Sequence, residues 1–189
     1  MAMLSAVLTA LCAAPSPVAN VNITMYSGRW YQTFGSLAVQ TLMEAGGHCV
    51  TADYGPVAGR ADVVKVRNTC SVFGHNGGVT GYAIANPDGS GTLDVHLGPS
   101  ANPTSAGEYK STNYIIFGLG PVVDGRYDYT LITDPTGFGL FVLTRNVTRF
   151  ASRYESAVLD ILKEKGFTGF LNRPRRTQQD EKCKYSPPG

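Results

Sequence analysis

From Arg29 to Arg145 the chain is a succession of short runs in which apolar and polar residues alternate, separated by glycine-bearing turns. A period of two is the mark of a half-buried strand. Eight such runs follow one another with short connections, and only after the last does a helical period appear. Consecutive antiparallel strands avoid exposed edges by closing on themselves. The predicted fold is therefore all-β: an eight-stranded up-and-down antiparallel barrel with one C-terminal α-helix packed on its outside.

The first strand is expected from Arg29 to Ser36, with Trp30, Gln32 and Phe34 on one face. Leu37–Gly47 reads as a loop. The clearest hairpin follows: Val50, Ala52 and Tyr54 share a face in Cys49–Tyr54, and Val64, Val66 and Asn68 share one in Val63–Cys70, with Gly55–Asp62 as the turn. His75–Gly78 is expected to turn the chain into Val79–Ala85, where Gly81, Ala83 and Ala85 would leave room inside. Leu93, Val95 and Leu97 point inward in the fifth strand, and His96 alternates outward as a solvated side chain. Pro99–Thr112 is polar and reads as a mouth or connecting loop. Ile115, Phe117 and Leu119 are the expected inner set of the sixth strand. The seventh runs from Tyr127 to Thr133, and the eighth, Phe138 to Arg145, carries Phe141, Leu143 and Arg145 on one face. Ser152-x-x-Glu155 has the form of a capping box, Tyr154, Ala157, Val158, Ile161 and Leu162 repeat at helical spacing, and Gly166 is placed to stop that helix.

Composition narrows the class of function. Charged residues make up 16% of the 189, and the formal net charge is +2, too small to suggest a nucleic-acid partner. No apolar run reaches the roughly 18 residues of a transmembrane helix. Residues 1–19 read as a signal peptide, apolar and then small around Ala13–Ala19, which predicts a secreted protein. Cys12 follows the bulky Leu11, unlike a lipid-anchored leader. Residues 20–172 form the barrel and helix, and 173–189 an irregular tail. Asn22-Ile23-Thr24 and Asn146-Val147-Thr148 are glycosylation sequons. His48-Cys49 lacks the companion ligands of a metal site, so no metal is expected.

Gly28-x-Trp30 on the first strand, Cys49-x-x-Ala52-x-Tyr54, Val64-x-Val66-x-Asn68 and Leu143-x-Arg145 ahead of the helix, in that order, resemble the lipocalin family. The resemblance covers Tyr26 to Phe170 and looks closest to the apolipoprotein D and bacterial lipocalin branch. It implies that Trp30 plugs the closed end with the Arg145 guanidinium stacked over it, and that the first loop is a lid. The family carries Thr-Asp-Tyr between the sixth and seventh strands, where this chain has Leu119-Gly120-Pro121. Three cysteines of the mature chain, Cys49, Cys70 and Cys183, allow three pairings. A Cys49–Cys70 bridge across the hairpin is conceivable, whereas the resemblance implies Cys183 with Cys49 or Cys70. The bridge to Cys183 is favoured because it pins a tail with no core of its own.

A barrel of eight strands is just wide enough to hold one small ligand. The expected lining is Phe34, Val50, Ala52, Tyr54, Val64, Val66, Asn68, Ala83, Leu93, Val95, Leu97, Ile115, Phe117 and Phe141, apolar with a few hydroxyls and one amide. This favours a secreted carrier of a small hydrophobic molecule such as a fatty acid, retinoid, sterol or pigment. No catalytic residue and no cofactor beyond such a ligand is expected. An isomerase or de-epoxidase on the same barrel would need an unpaired Cys49 or Cys70 as nucleophile. A third reading has Leu37–Gly47 and Pro99–Thr112 gripping a protein receptor or a second copy. Large side chains filling the bore would leave nothing bound.

Overall fold

The computed structural model describes residues 14–44 and 46–189. The chain enters through a single helical turn, α1 (Ile23–Tyr26), and continues into β1 (Gly28–Gly35), β2 (His48–Val57), β3 (Arg60–Val72), β4 (His75–Ala85), β5 (Thr92–Leu97) and β6 (Tyr114–Leu119). A two-stranded hairpin, β7 (Val122–Val123) and β8 (Arg126–Tyr127), leads to β9 (Tyr129–Thr133) and β10 (Leu140–Thr144). Two helices follow, α2 (Val147–Arg153) and α3 (Glu155–Glu164), and then a short β11 (Arg175–Arg176). Neighbours in sequence pair antiparallel from β1 to β6, then β6 with β9 and β9 with β10, and the β10–β1 pairing closes the eight-stranded barrel.

Two packed layers follow from the alternation. Trp30, Ala52, Tyr54, Val64, Val66, Ala83, Leu93, Ile116, Ile132 and Leu143 face one another inside. Outside, Phe34, Ile115, Phe117, Leu131, Leu140 and Val142 pack beneath Phe150 of α2, Val158 and Leu162 of α3, and Phe167. The helix thus covers an apolar outer wall, as its stripe of buried residues requires. Its start differs from expectation. Asn146, not Ser152, is the N-cap, accepting a hydrogen bond from Arg149 N at 2.8 Å, while the Ser152 hydroxyl points back to Arg149 O. Gly166 does stop it, at φ +86°.

The turns also shift. Pairing of β2 with β3 continues past Gly55 to Val57–Arg60, and His75–Gly78 is strand, because Phe73-Gly74 supplies both left-handed residues of a two-residue hairpin turn. Gly81 leaves no room inside: a Cβ there would collide with the carbonyl oxygen of His96 on β5, so the glycine is needed for close backbone approach. The loop after β5 does not stand over the mouth. Its Ala106 and Tyr109 fold back on the outer wall against Val57, Val63, Tyr82 and Ile84, and Arg60 bonds to Ala106 O and Gly107 O.

β1 has different partners along its length. Its first half pairs with β2, but from Phe34 its partner on that side is β11. The segment after β11 fills the gap: Gln179 Nε2 donates to Gln32 O at 3.0 Å and to Val50 O at 2.8 Å, joining the two parted strands. Cys49 N donates to Gln178 O, and a Cys49–Cys183 disulfide fastens the strip. Beyond it Tyr185 packs on Tyr31, and Arg29 donates to Ser186 O.

Most of the expected leader lies outside the described residues. Of its last residues, Val18 is tied into the wall, donating to Ile116 O and accepting from Gly91 N. Among the described residues no helix is long and apolar enough to cross a membrane.

Candidate functional site

The closed end is built around Trp30, fully buried, its indole N–H donating to Tyr26 O at 2.9 Å. Arg145 sits 3.5 Å from the ring centre and spends its donors on the carbonyls of Arg29, Tyr26, Ser27, Met25 and Tyr127. Burial and the neighbouring Arg126 bring its pKa down to about 10, still well into the charged range at neutral pH. Gly28 at φ +99° makes room, since a Cβ would strike Arg126 and crowd Arg145. The acid that serves this end is Asp128, immediately before Tyr129, and not a residue of Leu119–Pro121. Its buried carboxylate pairs with Arg149, and its carbonyl accepts from Arg145 N and the Thr144 hydroxyl.

Above the indole the bore is crossed by tyrosines. The hydroxyl of Tyr114 lies 2.9 Å from that of Tyr26 and 3.0 Å from that of Tyr54, and Tyr26 reaches the Thr130 hydroxyl. Burial raises all three, Tyr54 to about 12, so they stay protonated and bonded to each other. Tyr54 is thus satisfied by its neighbours and is not a free polar anchor.

Several expected lining residues prove to be elsewhere. Phe34, Ile115 and Phe117 lie on the outer wall under the helix, Phe34 against Phe150 and Phe117 stacked on Phe167. A register shift between Gln32 and Phe34 turns Phe34 out, and one between Ile116 and Gly118 puts Leu119 on the same side as Tyr114 and Ile116, so Ile115 and Phe117 do not share its face. Each breaks the alternation, so Tyr114, Ile116 and Leu119 face in on β6. Ala52, Tyr54, Val64, Val66, Ala83 and Leu93 face in and are packed, and Val95 and Phe141 border the same cluster. Val50 is buried next to the irregular step at Cys49, whose φ is +55°.

Toward the mouth the interior changes. Val79 pairs with Asn68 and Leu97 with Gly81, so both take inward-facing register, yet they are 37% and 41% exposed. They lie where the ends of β4 and β5 are exposed on either face, His75–Thr80 and His96–Leu97. The first loop contains a π-helical turn, Val39–Met43, in which Glu44 N donates to Val39 O. Its Leu42 and Met43, with Phe73 of the β3–β4 turn, form an exposed apolar rim. Glu44 is buried, against inward-facing Gln32 and Cys70. Burial pushes its carboxyl up to about 7, opposed only by a hydrogen bond from Gln32. No sequence pattern distinguishes this residue, because it lies in a loop with no period. Two clefts, of about 360 and 230 Å³, lie on the outer wall, the first along Arg176–Asp180 and the second between β2–β4 and the end of the tail.

Cysteine chemistry is limited. Cys49 is bound to Cys183, and burial together with Glu44 pushes the Cys70 thiol up, away from the thiolate a nucleophile needs. His96 stacks on Tyr82 and pairs with Asp94 outside the barrel. Among the described residues no three His, Cys, Asp or Glu side chains gather into a metal site.

The model of the lipocalin-like domain matches residues 21–175. No curated protein sequence matches. Among solved structures the chain is similar to insecticyanin from the tobacco hornworm Manduca sexta, with a TM-score of 0.58 at 14% identity over 93% of this chain and 90% of that one. It is also similar to the cockroach allergen Per a 4, with 0.57 at 17% over 89% and 95%, and to a biogenic amine-binding protein, with 0.56 at 15% over 93% and 91%. At these identities the likeness is one of fold. With the family model spanning most of the chain and the Trp30–Arg145 stopper closing an eight-stranded barrel, this protein belongs to the lipocalin family.

Proposed function

We propose that the protein is a secreted carrier of a small hydrophobic molecule, held in the mouth half of the barrel above the tyrosine bridge. One observation carries this reading: Val79 and Leu97 have inward register on a bore stoppered at its far end, and are nevertheless open to solvent. Apolar side chains in a half-open concavity are what an apolar ligand covers, at about 25 cal/mol per Å² buried. Ala52, Asn68, Val95 and Phe141 are the lining we assign to it, with Phe34, Ile115 and Phe117 removed. The Cys49–Cys183 bridge suits an oxidising compartment. Both sequon asparagines, Asn22 and Asn146, are exposed and would accept a glycan. An enzymatic role is disfavoured by the protonated Cys70. The test is organic extraction of the purified protein with mass spectrometry, beside titration with an apolar fluorescent probe. A co-purifying lipid-like species and one saturable site are expected. Absence of any saturable site would mean the bore is simply a core.

A second reading rests on the rim. Leu42, Met43 and Phe73 are 84%, 70% and 95% exposed, and Phe73 is a bulky residue held at φ +50°, a conformation such residues rarely adopt. These residues are the surface we assign to a protein receptor or second copy. Sedimentation of the wild type and of a Leu42→Ser/Phe73→Ser variant should differ if the rim mediates self-association. Identical monomeric profiles would remove the second copy as its occupant.

A further inference from the structure

The mouth contains an unmet chemical requirement. Glu44 is 7% exposed, and its Oε2 has no hydrogen-bond partner. Deeper in the bore, Asn68 Oδ1 is also buried without a partner. Asn68 and Cys70 share the inward face of β3, as their unbroken register with Val79 and Gly77 of β4 requires, and Glu44 lies against Cys70. Both orphan atoms are acceptors. A buried acceptor left unpaired is costly, and a buried carboxylate more so.

Among the described residues no donor is bonded to either atom; the third buried atom left unpartnered, Arg175 Nε, is a donor but is bonded to neither. Gln32, the amide beside Glu44, gives one Nε2 hydrogen to the Thr177 hydroxyl at 2.9 Å, and its hydrogen bond to the Glu44 carboxyl still leaves Oε2 unpaired. Among the described residues Cys70, a weak donor, is the titratable group coupled to Glu44, Gln32 and Thr177 are neutral, and no cation acts on the Glu44 carboxyl. The guanidinium inside the barrel, Arg145, lies over Trp30 at the far end with its donors committed to carbonyls. The mouth therefore offers acceptors and latent negative charge above an apolar bore.

We propose that the ligand is an amphiphile with a protonated amine head, which donates to Glu44 and Asn68 while its apolar body occupies the bore. This rests on the carrier reading and narrows it. A carboxylate head would meet like charge and two acceptors, so fatty acids fall behind amines. A hydroxyl head has one hydrogen to give and no charge to set against Glu44. Binding of the amine holds Glu44 ionised, so near neutral pH, where the free protein keeps part of this carboxyl protonated, the complex releases a proton.

Isothermal titration calorimetry with decylamine, decanol and decanoate tests the assignment on the full chain. Decylamine should bind at least about tenfold more tightly than either of the others, the scale of one charged hydrogen bond. Glu44→Gln should erase that preference, weakening decylamine at least about tenfold more than it changes decanol. In the wild type, repeating the decylamine titration in buffers of different ionisation enthalpy should show net proton release at about pH 6.5. This measurement needs no variant, so it stands if Glu44→Gln fails to fold. Equal affinity for decylamine and decanol, tighter binding of decanoate, or an amine preference that survives in Glu44→Gln would overturn the amine assignment and leave the carrier reading intact. Failure of all three probes to bind would overturn both.

Discussion

The Arg145 guanidinium lies 3.5 Å from the centre of the Trp30 ring while its nitrogens hold the carbonyls of Tyr26, Ser27 and Arg29. One side chain from the last strand thus fixes the entry turn, the first strand and the indole together. Arg145→Ala should destabilise the protein by about 3–5 kcal/mol, since it strips a cation–π contact and leaves several carbonyls unpaired. Arg145→Lys should recover less than half of this, because an ammonium cannot reproduce the planar fork. Urea unfolding followed by Trp30 emission measures both. A lysine variant as stable as the wild type would show that charge alone suffices.

Stability should fall as pH rises through the Glu44 titration. Its folded pKa, about 7, lies above the ordinary carboxyl value, so the folded state holds a proton that the unfolded state has lost. The contribution is complete below about pH 4.3 and is lost on approaching pH 7, at most about 3 kcal/mol in all. The titratable group facing it is Cys70, which does not ionise in that window. Thermal melts across this range should slope downward in the wild type and flatten in Glu44→Gln. Parallel slopes in the two proteins would mean that Glu44 is not the group responsible.

Among the described residues Cys70 should be the one thiol that reacts, and slowly. At about pH 8 its modification by a disulfide reagent should be retarded by burial and by the Glu44 charge, and Glu44→Gln should quicken it several-fold. Reagent found by peptide mapping on Cys49 or Cys183 of the untreated protein would contradict the Cys49–Cys183 bond.

Asn146→Ala should cost about 1 kcal/mol through loss of the helix cap, whereas Ser152→Ala should cost a few tenths at most. Chemical denaturation of the two variants compares them directly. The reverse order would restore the start of the helix to Ser152.

Removing the tail's anchor should weaken the whole barrel. Cys183→Ser is expected to lower stability by about 2–4 kcal/mol and to open Arg173–Lys184 to trypsin. Limited proteolysis with mass spectrometry reads the second effect, and a tail as resistant as before would show that Gln179 and its neighbours hold it unaided.

The strands were legible where alternation ran unbroken. Ala52 and Tyr54 opposite Val66 and Asn68 could be placed from period alone, and Trp30 and Arg145 from parity and family likeness together. Phe34 was misplaced because it follows a shifted residue, and Ile115 and Phe117 because parity carried back from Leu119 crosses another; such a shift has no obligatory residue type. Ser152-x-x-Glu155 had the right letters for a cap, but the chain had already turned helical at Asn146. Glu44 left no trace in the pattern, since its burial arises from how a loop folds over a mouth built by distant strands. The strip at Arg175–Gln179 was equally silent: polar residues read as tail, although they fill a gap that exists only once β1 and β2 have parted.

That strip has a temporal meaning. The wall between β1 and β2 is completed by residues far downstream of both strands and locked by a bond, spanning 134 residues, that only oxidation can make. A polypeptide still emerging from synthesis carries a vessel with one seam ajar. Its final sealing waits on the oxidation that joins Cys49 to Cys183, so reductant, more than heat, is the natural way to reopen it.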